Sequence, residues 1–458
     1  MVQRKLEKMI DPEAASATSF DVVVIGAGMS GLAAAEEAHQ RGLSVQIIEA
    51  GSTPGGLARS IAVDGAEADS IEAYYHHIFP QDRETRALIT RLGLAERLEW
   101  RPASTAVMSG GQIYPFNSIL DLLRFRPLPF FSRLRLGLGS AFSLLRSRRP
   151  RPGLRVGEVG PRWFGARGYA ILWQPLLNGK FGTLAPEVSL DWLSSRIKQR
   201  ALARKSGTGD RLGYLRGGLG VLIERYEQAI QQSGISIAYG VPVNSLAWDT
   251  NHWRIKFGDQ TITGRAVISC LSGQILSQLV SLPEQYAADL AAIPYRGVSC
   301  LLLEFNRALG TDYWTNLIEP TKYNCLAVIE HTNFIPPERY GGQHLVYLTH
   351  YVEPNGPVWE ASGEELLAGV ESVLRTINPA FERSWVTKMH LTRDRYAQPV
   401  PLVGGHMPSL PVATGLPGLF HASLAHIYPD DRGVSLSLAL GQRVSRVATA
   451  WLEKNKIL

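Results

Sequence analysis

An α/β fold built on a Rossmann-type nucleotide-binding domain is what this chain predicts, on three observations. Phe20-Asp21-Val22-Val23-Val24-Ile25 reads as a buried strand. The turn Gly26-Ala27-Gly28-Met29-Ser30-Gly31 follows it and opens an alanine-rich helix that runs to Gly42. A second apolar run, Leu43 to Ile48, ends in Glu49. Each part has a task in holding a dinucleotide. Gly26 makes the tight turn, Gly28 lets the backbone approach a pyrophosphate, and Gly31 lets the helix pack closely on the strand. The helix beginning at Met29 points free N–H groups and its positive dipole end at the phosphates. Glu49, 18 residues after Gly31, stands where a carboxylate accepts hydrogen bonds from ribose hydroxyls.

The next segment, Glu49-Ala50-Gly51-Ser52-Thr53-Pro54-Gly55-Gly56-Leu57-Ala58-Arg59-Ser60, places a Gly-Gly pair and an arginine just past the second strand. It resembles the extended signature of the flavin-dependent amine oxidase, protoporphyrinogen oxidase and phytoene desaturase superfamily. The resemblance implies FAD, with Glu49 and Ala50 at the ribose. Gly56, Leu57, Ala58 and Arg59 then wrap the pyrophosphate and flavin side. Glycines admit close backbone approach, and the arginine presents a fixed fork of donors to phosphate.

Further along, Arg83 to Leu92 reads as a helix and Gly110 to Pro115 as a short hairpin. Nine arginines and no acid lie between Leu122 and Gly157; removing their charge from the net of +6 leaves about −3 for the rest. Among these arginines, from Arg124 to Arg155, the positions Leu134, Leu138, Ala141, Phe142 and Leu145 share one helical face. Arginine interleaved with phenylalanine and leucine fits a helix lying in an anionic membrane interface. It equally fits a packed helix with a solvated basic rim. The field could also steer an anionic substrate. No nucleic-acid-binding motif accompanies the arginines, so nucleic acid is not expected. Residues 162–193 are aromatic-rich (Trp163, Phe164, Tyr169, Trp173, Phe181, Trp192), which suits a core more often than a channel lining. Residues 205–211 form a polar loop returning the chain to the first domain.

Leu215-Arg216-Gly217-Gly218-Leu219 opens a helix through Ile230, followed by a strand, Ile235 to Tyr239, and then Val243. This resembles the superfamily's second cofactor segment and implies Val243 beside the adenine. Residues 260–269 read as a hairpin arm and a strand ending at Cys270, which the resemblance places near the adenosine end. Residues 296–305, 324–329 and 343–352 are strand-like, and 360–377 is an amphipathic helix. The chain closes with a strand over Gly418 to Ala422 and a glycine-led helix to Trp451. The resemblance points that helix at the flavin, through Asp431, Arg432, Gly433 and Val434. The superfamily carries an acid directly after this strand; here Ser423-Leu424 hold the place, and the acids come at Asp430 and Asp431.

At 458 residues the chain holds two or three domains' worth of material, with 45% hydrophobic and 19% charged residues. The reading is a Rossmann-type FAD-binding domain from 20–105, 213–275 and 394–458, with an inserted mixed α+β substrate domain from 106–212 and 276–393. Residues 1–19 are polar, without an apolar signal core, and read as a disordered leader. Three cysteines without close spacing argue against a disulfide framework and a metal site. No run of about 18 apolar residues exists to span a membrane. A cytoplasmic protein is expected, peripheral on the membrane's inner face if the arginine helix docks there. No cysteine lies between Gly404 and Leu458, so the FAD is expected to be held without a covalent bond.

The resemblance implies an FAD-dependent oxidoreductase that oxidises or desaturates an apolar substrate: an isoprenoid, a porphyrinogen-like ring or an amine. His76, His77 and Tyr428 are candidate catalytic side chains, since a histidine exchanges protons near neutral pH. Each also fits as a satisfied structural residue. His77-Ile78-Phe79 resembles a segment of the UDP-galactopyranose mutases, making a flavin-dependent sugar-nucleotide mutase the main alternative. A non-enzymatic binder akin to the GDP-dissociation inhibitors is the third, opposed by the intact glycine turn, Glu49 and Arg59.

Overall fold

The apolar run at the start of the chain forms the strand Ser19–Ile25 inside a seven-stranded sheet. The structure, a computed structural model, describes residues 18–63, 69–146, 153–203, 210–407 and 410–455. Residues 1–17 of the expected 1–19 leader and 205–209 of the expected 205–211 loop lie outside the described residues; Ser19, Asp210 and Arg211 stand in strands instead. Ser19–Ile25 pairs in parallel with Val45–Ile48 on one side and with Gln260–Ser269 on the other. Val45–Ile48 in turn pairs with Ser236–Ala238. These strands bury both faces, which is why they read as continuous apolar runs rather than alternating ones. Gln260–Ser269 is one strand rather than a hairpin arm and a separate strand. Its first half pairs antiparallel with His252–Phe257, and its second half pairs parallel with Leu419–His421.

The helix Met29–His39 packs on this sheet only because residue 31 is glycine. A Cβ there would sit 1.8 Å from the Gly26 carbonyl oxygen. The last helix, Val434–Lys454, crosses the same helix at Gly441, where a Cβ would meet the Ser30 carbonyl oxygen at 2.1 Å. Both contacts bring the N-termini of these helices to one edge of the sheet.

A second seven-stranded sheet runs in the order Val386–Pro399, Tyr295–Phe305, His344–Val352, Ala327–Glu330, Trp314–Leu317, Thr105–Ser109 and Gln112–Pro115. Its second strand, Tyr295–Phe305, paired on both sides, alternates as a strand must. Leu301, Leu303 and Phe305 face Leu366, Val370 and Leu374 of the helix Gly363–Ile377. Val298, Cys300 and Leu302 face the aromatic cluster of Tyr74, Tyr313 and Tyr347.

The described residues between 119 and 203 are mostly helical and build a third core, in which Phe164, Tyr169 and Phe181 are buried as the aromatic count suggests. The helix Phe130–Arg146 departs from ordinary amphipathic packing. Its inward side carries small residues beside the buried Leu136: a Cβ on Gly139 would lie 2.2 Å from the Trp163 carbonyl oxygen, and Ser143 Oγ bonds Ser194 Oγ at 3.0 Å. Its large apolar side faces outward, with Phe131 81%, Leu138 72% and Leu145 70% exposed. The arginines divide. Arg133 donates to the carbonyls of Leu123 and Leu128, Arg135 to that of Arg162, and Arg155 pairs with Glu158 and Glu187. Arg124 and Arg126 are exposed. Arg148, Arg149 and Arg151, with the side chain of Arg146, lie outside the described residues. Among the described residues no helix is long and apolar enough to cross a membrane.

Candidate active site

One cavity of about 1260 Å³ joins the two sheets and the helical region. Small-molecule pockets commonly hold ~300–1,000 Å³, so this one has room for a dinucleotide and a second molecule. At one end it is lined by Gly26, Gly28, Met29, Ser30 and Glu49, and by the loop carrying Gly56, Leu57, Ala58 and Arg59. Cys270 and the segment Asp431, Arg432, Gly433 and Val434 complete that end. Ala27, Gly31, Ala50 and Val243 are not part of the lining. Gly31 is buried behind the turn against Gly26, and Val243 pairs with Phe257 in a sheet-edge hairpin.

The two glycine loops lie side by side. The Gly55 amide donates to the Ala27 carbonyl at 2.9 Å, and a Cβ on Gly56 would come 3.3 Å from the Gly28 Cα. Bare backbone therefore faces the cavity where a pyrophosphate needs close approach. Glu49 is braced across the turn, accepting from the amides of Ala27 (2.6 Å) and Gly51 (2.7 Å). Arg59 donates to the Gly56 carbonyl at 3.0 Å and lies over the Tyr74 ring. Asp431 Oδ1 is buried without a hydrogen-bond partner and awaits a donor. Bare glycine backbone, a preset carboxylate, an arginine and an unpartnered acceptor fit FAD.

The middle of the cavity is charged. Lys180 Nζ lies 2.7 Å and Arg196 Nε 3.5 Å from Asp431 Oδ2. Arg432 donates to the Ala397 carbonyl, to Gln398 Oε1 and, at 2.9 Å, to Tyr351 Oη. Tyr351 Oη and Tyr75 Oη are 3.2 Å apart. Burial works to raise the Asp431 carboxyl, but Lys180, Arg196 and Arg432 outweigh it and hold it well below the carboxylate range. Burial likewise opposes ionisation of Tyr351, and Arg432 with Lys180 turns that into a net lowering.

His76 and His77 line this stretch. Nδ1 of His76 is 2.6 Å from the Tyr74 carbonyl, and Nδ1 of His77 is 3.2 Å from Tyr313 Oη. Burial lowers His76 to about 4. Burial, then the charges of Arg200 and Arg196, hold His77 well below its usual range. Both are neutral imidazoles at pH 7, able to accept or share a proton but carrying no charge. Tyr428 is not among the residues lining the cavity, and its hydroxyl is bonded to Ser189 at 2.8 Å.

The far end is apolar: Leu136, Leu144, Leu172, Trp173 and Leu176. Trp173 and Trp192, which the sequence allowed either a core or a channel, belong to both: they pack in the helical core and line the cavity. Ile119 and Ala141 line it and are also exposed, so it opens beside the helix Phe130–Arg146. Lys180, Arg196, Tyr75 and Tyr351 escaped the sequence reading. The one signal was a solitary lysine inside the apolar, aromatic stretch 162–193.

Residues 29–430 match the model of a family described as flavin containing amine oxidoreductase. The chain is 31% identical to a hydroxyneurosporene desaturase of Rubrivivax gelatinosus over 158 residues, 31% of this chain and 30% of that protein. The curated relatives are matched over only 10% to 57% of their own lengths. Among solved structures, a putative protoporphyrinogen oxidase from Exiguobacterium sp. 255-15 superposes with a TM-score of 0.74 at 19% identity, covering 96% of this chain and 99% of that one. A reduced UDP-galactopyranose mutase superposes at 0.73 and 16%, covering 94% of each chain. These two likenesses speak to the fold alone. The family match runs through nearly every wall of the cavity: this chain belongs to the flavin containing amine oxidoreductases, and FAD is its cofactor.

Proposed function

We propose that this FAD-dependent oxidoreductase oxidises or desaturates an apolar substrate that enters from an anionic membrane face. One observation carries the reading: the cavity that starts at the glycine turn opens beside a helix whose large apolar side chains face outward. A lipophilic molecule could pass from the bilayer to the apolar end of the cavity without crossing water. FAD, when bound, supplies the acceptor for the electrons removed. The protein's part is to hold and orient. The turn Gly26–Gly31 and Arg59 take the pyrophosphate, Glu49 the ribose, and Gly433 and Val434 the flavin. Leu136, Leu172 and Leu176 take the apolar body of the substrate and keep water from it. His76 and His77, neutral and facing the cavity, are the side chains placed to take up a proton. The relative's name, a desaturase, favours a polyene or isoprenoid within the apolar class.

Two measurements test this. In flotation with vesicles, the protein should rise with anionic and not with neutral lipid, and less so at high salt, because charge attraction is screened. Phe131→Ser with Leu138→Ser should abolish flotation. Absence of binding to either lipid removes the membrane route. Anaerobic mixing with an isoprenoid, a porphyrinogen or a lipophilic amine in detergent should bleach the flavin; bleaching by none of these defeats the apolar reading. Dithionite-reduced protein should leave UDP-galactopyranose unchanged, and ring contraction would instead establish the mutase.

A further inference from the structure

We infer that Lys180, Arg196 and Arg432, gathered around Asp431, form an anion pocket that takes an oxyanion group, carboxylate or phosphate, carried by an otherwise apolar substrate. The inference rests on the apolar-substrate reading and narrows it, from a neutral molecule to an anionic amphiphile.

The three cations come from separate elements. Lys180 lies on the helix Gln174–Phe181, Arg196 on Leu190–Ala203, and Arg432 just before the last helix. Lys180 and Arg196 pair with the Asp431 carboxylate, Arg432 is its chain neighbour and adds its charge to the same group, and all four residues line the cavity. The side chains of Lys180 and Asp431 are 12% and 6% exposed. A buried charge is costly unless it is paired, and one lysine on one aspartate would have been a complete pair. Arg196 on the same carboxylate and Arg432 beside it leave the quartet with an excess of two positive charges. Asp394, another carboxylate on the lining, feels the charges of Arg59 and Arg432, but burial is the larger influence and raises it.

The pocket is also preorganised. The Lys180 ammonium is walled by the rings of Phe181, Trp192 and Tyr351, at 5.7, 4.9 and 5.6 Å. Arg432 is tied down by three acceptors. Fixed donors lose little freedom when an oxyanion arrives, which favours tight binding. The apolar lining of Leu136, Leu172 and Leu176 belongs to the same cavity and suits the body of such a molecule. The FAD phosphates have their own cradle at Gly26–Gly31, so they leave this excess charge unanswered.

The test titrates the FAD-loaded protein with three probes of one chain length in a neutral detergent: hexadecanoate, hexadecyl phosphate and hexadecanol. The flavin spectrum reports binding. At least one of the two anions should bind ten-fold or more tighter than the alcohol, with the advantage shrinking as salt rises. Whichever anion leads identifies the carboxylate or the phosphate as the natural group. Lys180→Met should erase the advantage and Lys180→Arg should keep most of it. If Lys180→Met fails to load FAD, Arg196→Gln and the salt series on the unaltered protein decide. Equal binding of the alcohol, or an advantage intact in the variants, overturns the anion pocket while sparing the apolar reading. Failure of all three probes overturns both.

Discussion

At the scale of single residues, two positions near the cofactor edge leave little latitude. Gly31 has no room for a side chain, since the Gly26 carbonyl occupies the place of its Cβ. Gly31→Ala should therefore cost about 1–3 kcal/mol, as overpacking does, and lower the melting temperature even without FAD. An unchanged melt would mean the helix can slide without loss. Glu49 is different, because its carboxylate is already set by the amides of Ala27 and Gly51. Glu49→Ala removes those bonds and the ribose acceptor together. FAD affinity should fall by about 1–3 kcal/mol, or roughly five- to 150-fold in Kd. Fluorescence of released flavin measures this, and wild-type affinity in the variant would remove Glu49 from the site.

At the scale of elements, the helix Phe130–Arg146 has two faces with opposite demands. Gly139 touches the Trp163 carbonyl, while Leu138 beside it is 72% exposed. Gly139→Val should push the helix off its neighbour and destabilise the protein by more than 1 kcal/mol. Leu138→Ser should change stability by no more than about 0.5 kcal/mol, yet weaken vesicle binding. Paired melts and flotation on the two variants separate the faces; a large stability loss in Leu138→Ser would mean the outer face is covered by protein. The last helix obeys the same rule at Gly441, where close approach to Ser30 sets Gly433 and Val434 at the cavity.

At the scale of the whole molecule, buried titratable groups set the response to pH. Burial lowers His76, His350 and His426 to about 4 and His331 and His421 to about 3. The unfolded chain protonates these near 6.5, so each contributes stability that is present above that pH and lost as pH falls. The slope is about 1.4 kcal/mol per pH unit for each such group. Glu72 and Glu330 act oppositely: burial raises both to about 7, so the stability they add below 4.5 is lost as pH rises towards 7. Asp82, raised to about 6 by burial, acts with them, and between pH 6.5 and 4.5 the five imidazoles outnumber these three carboxyls. The melting temperature should fall steadily on acidification through that window, and a rise would show that the histidines are solvated. The chain also carries a single dinucleotide fingerprint, so NADH and NADPH should bleach the flavin only slowly in a stopped-flow mixture.

The sequence by itself determined the nucleotide-binding half and the cofactor. Strand, glycine turn, helix and acid are neighbours in the chain, and their spacing follows from local geometry. Gly26, Gly28, Glu49 and Arg59 were legible because each acts within about thirty residues of the others. The tertiary structure decided the rest. Lys180 and Arg196 meet on the Asp431 carboxylate although Lys180 lies 251 positions from it, and no local pattern encodes that meeting. It also decided which way the arginine-rich helix turns. Periodicity finds an apolar stripe, but a small residue able to approach a neighbouring backbone, here Gly139 against Trp163, overrides the stripe and leaves it facing outward. Packing at a contact depends on both partners, and the chain names only one of them at a time.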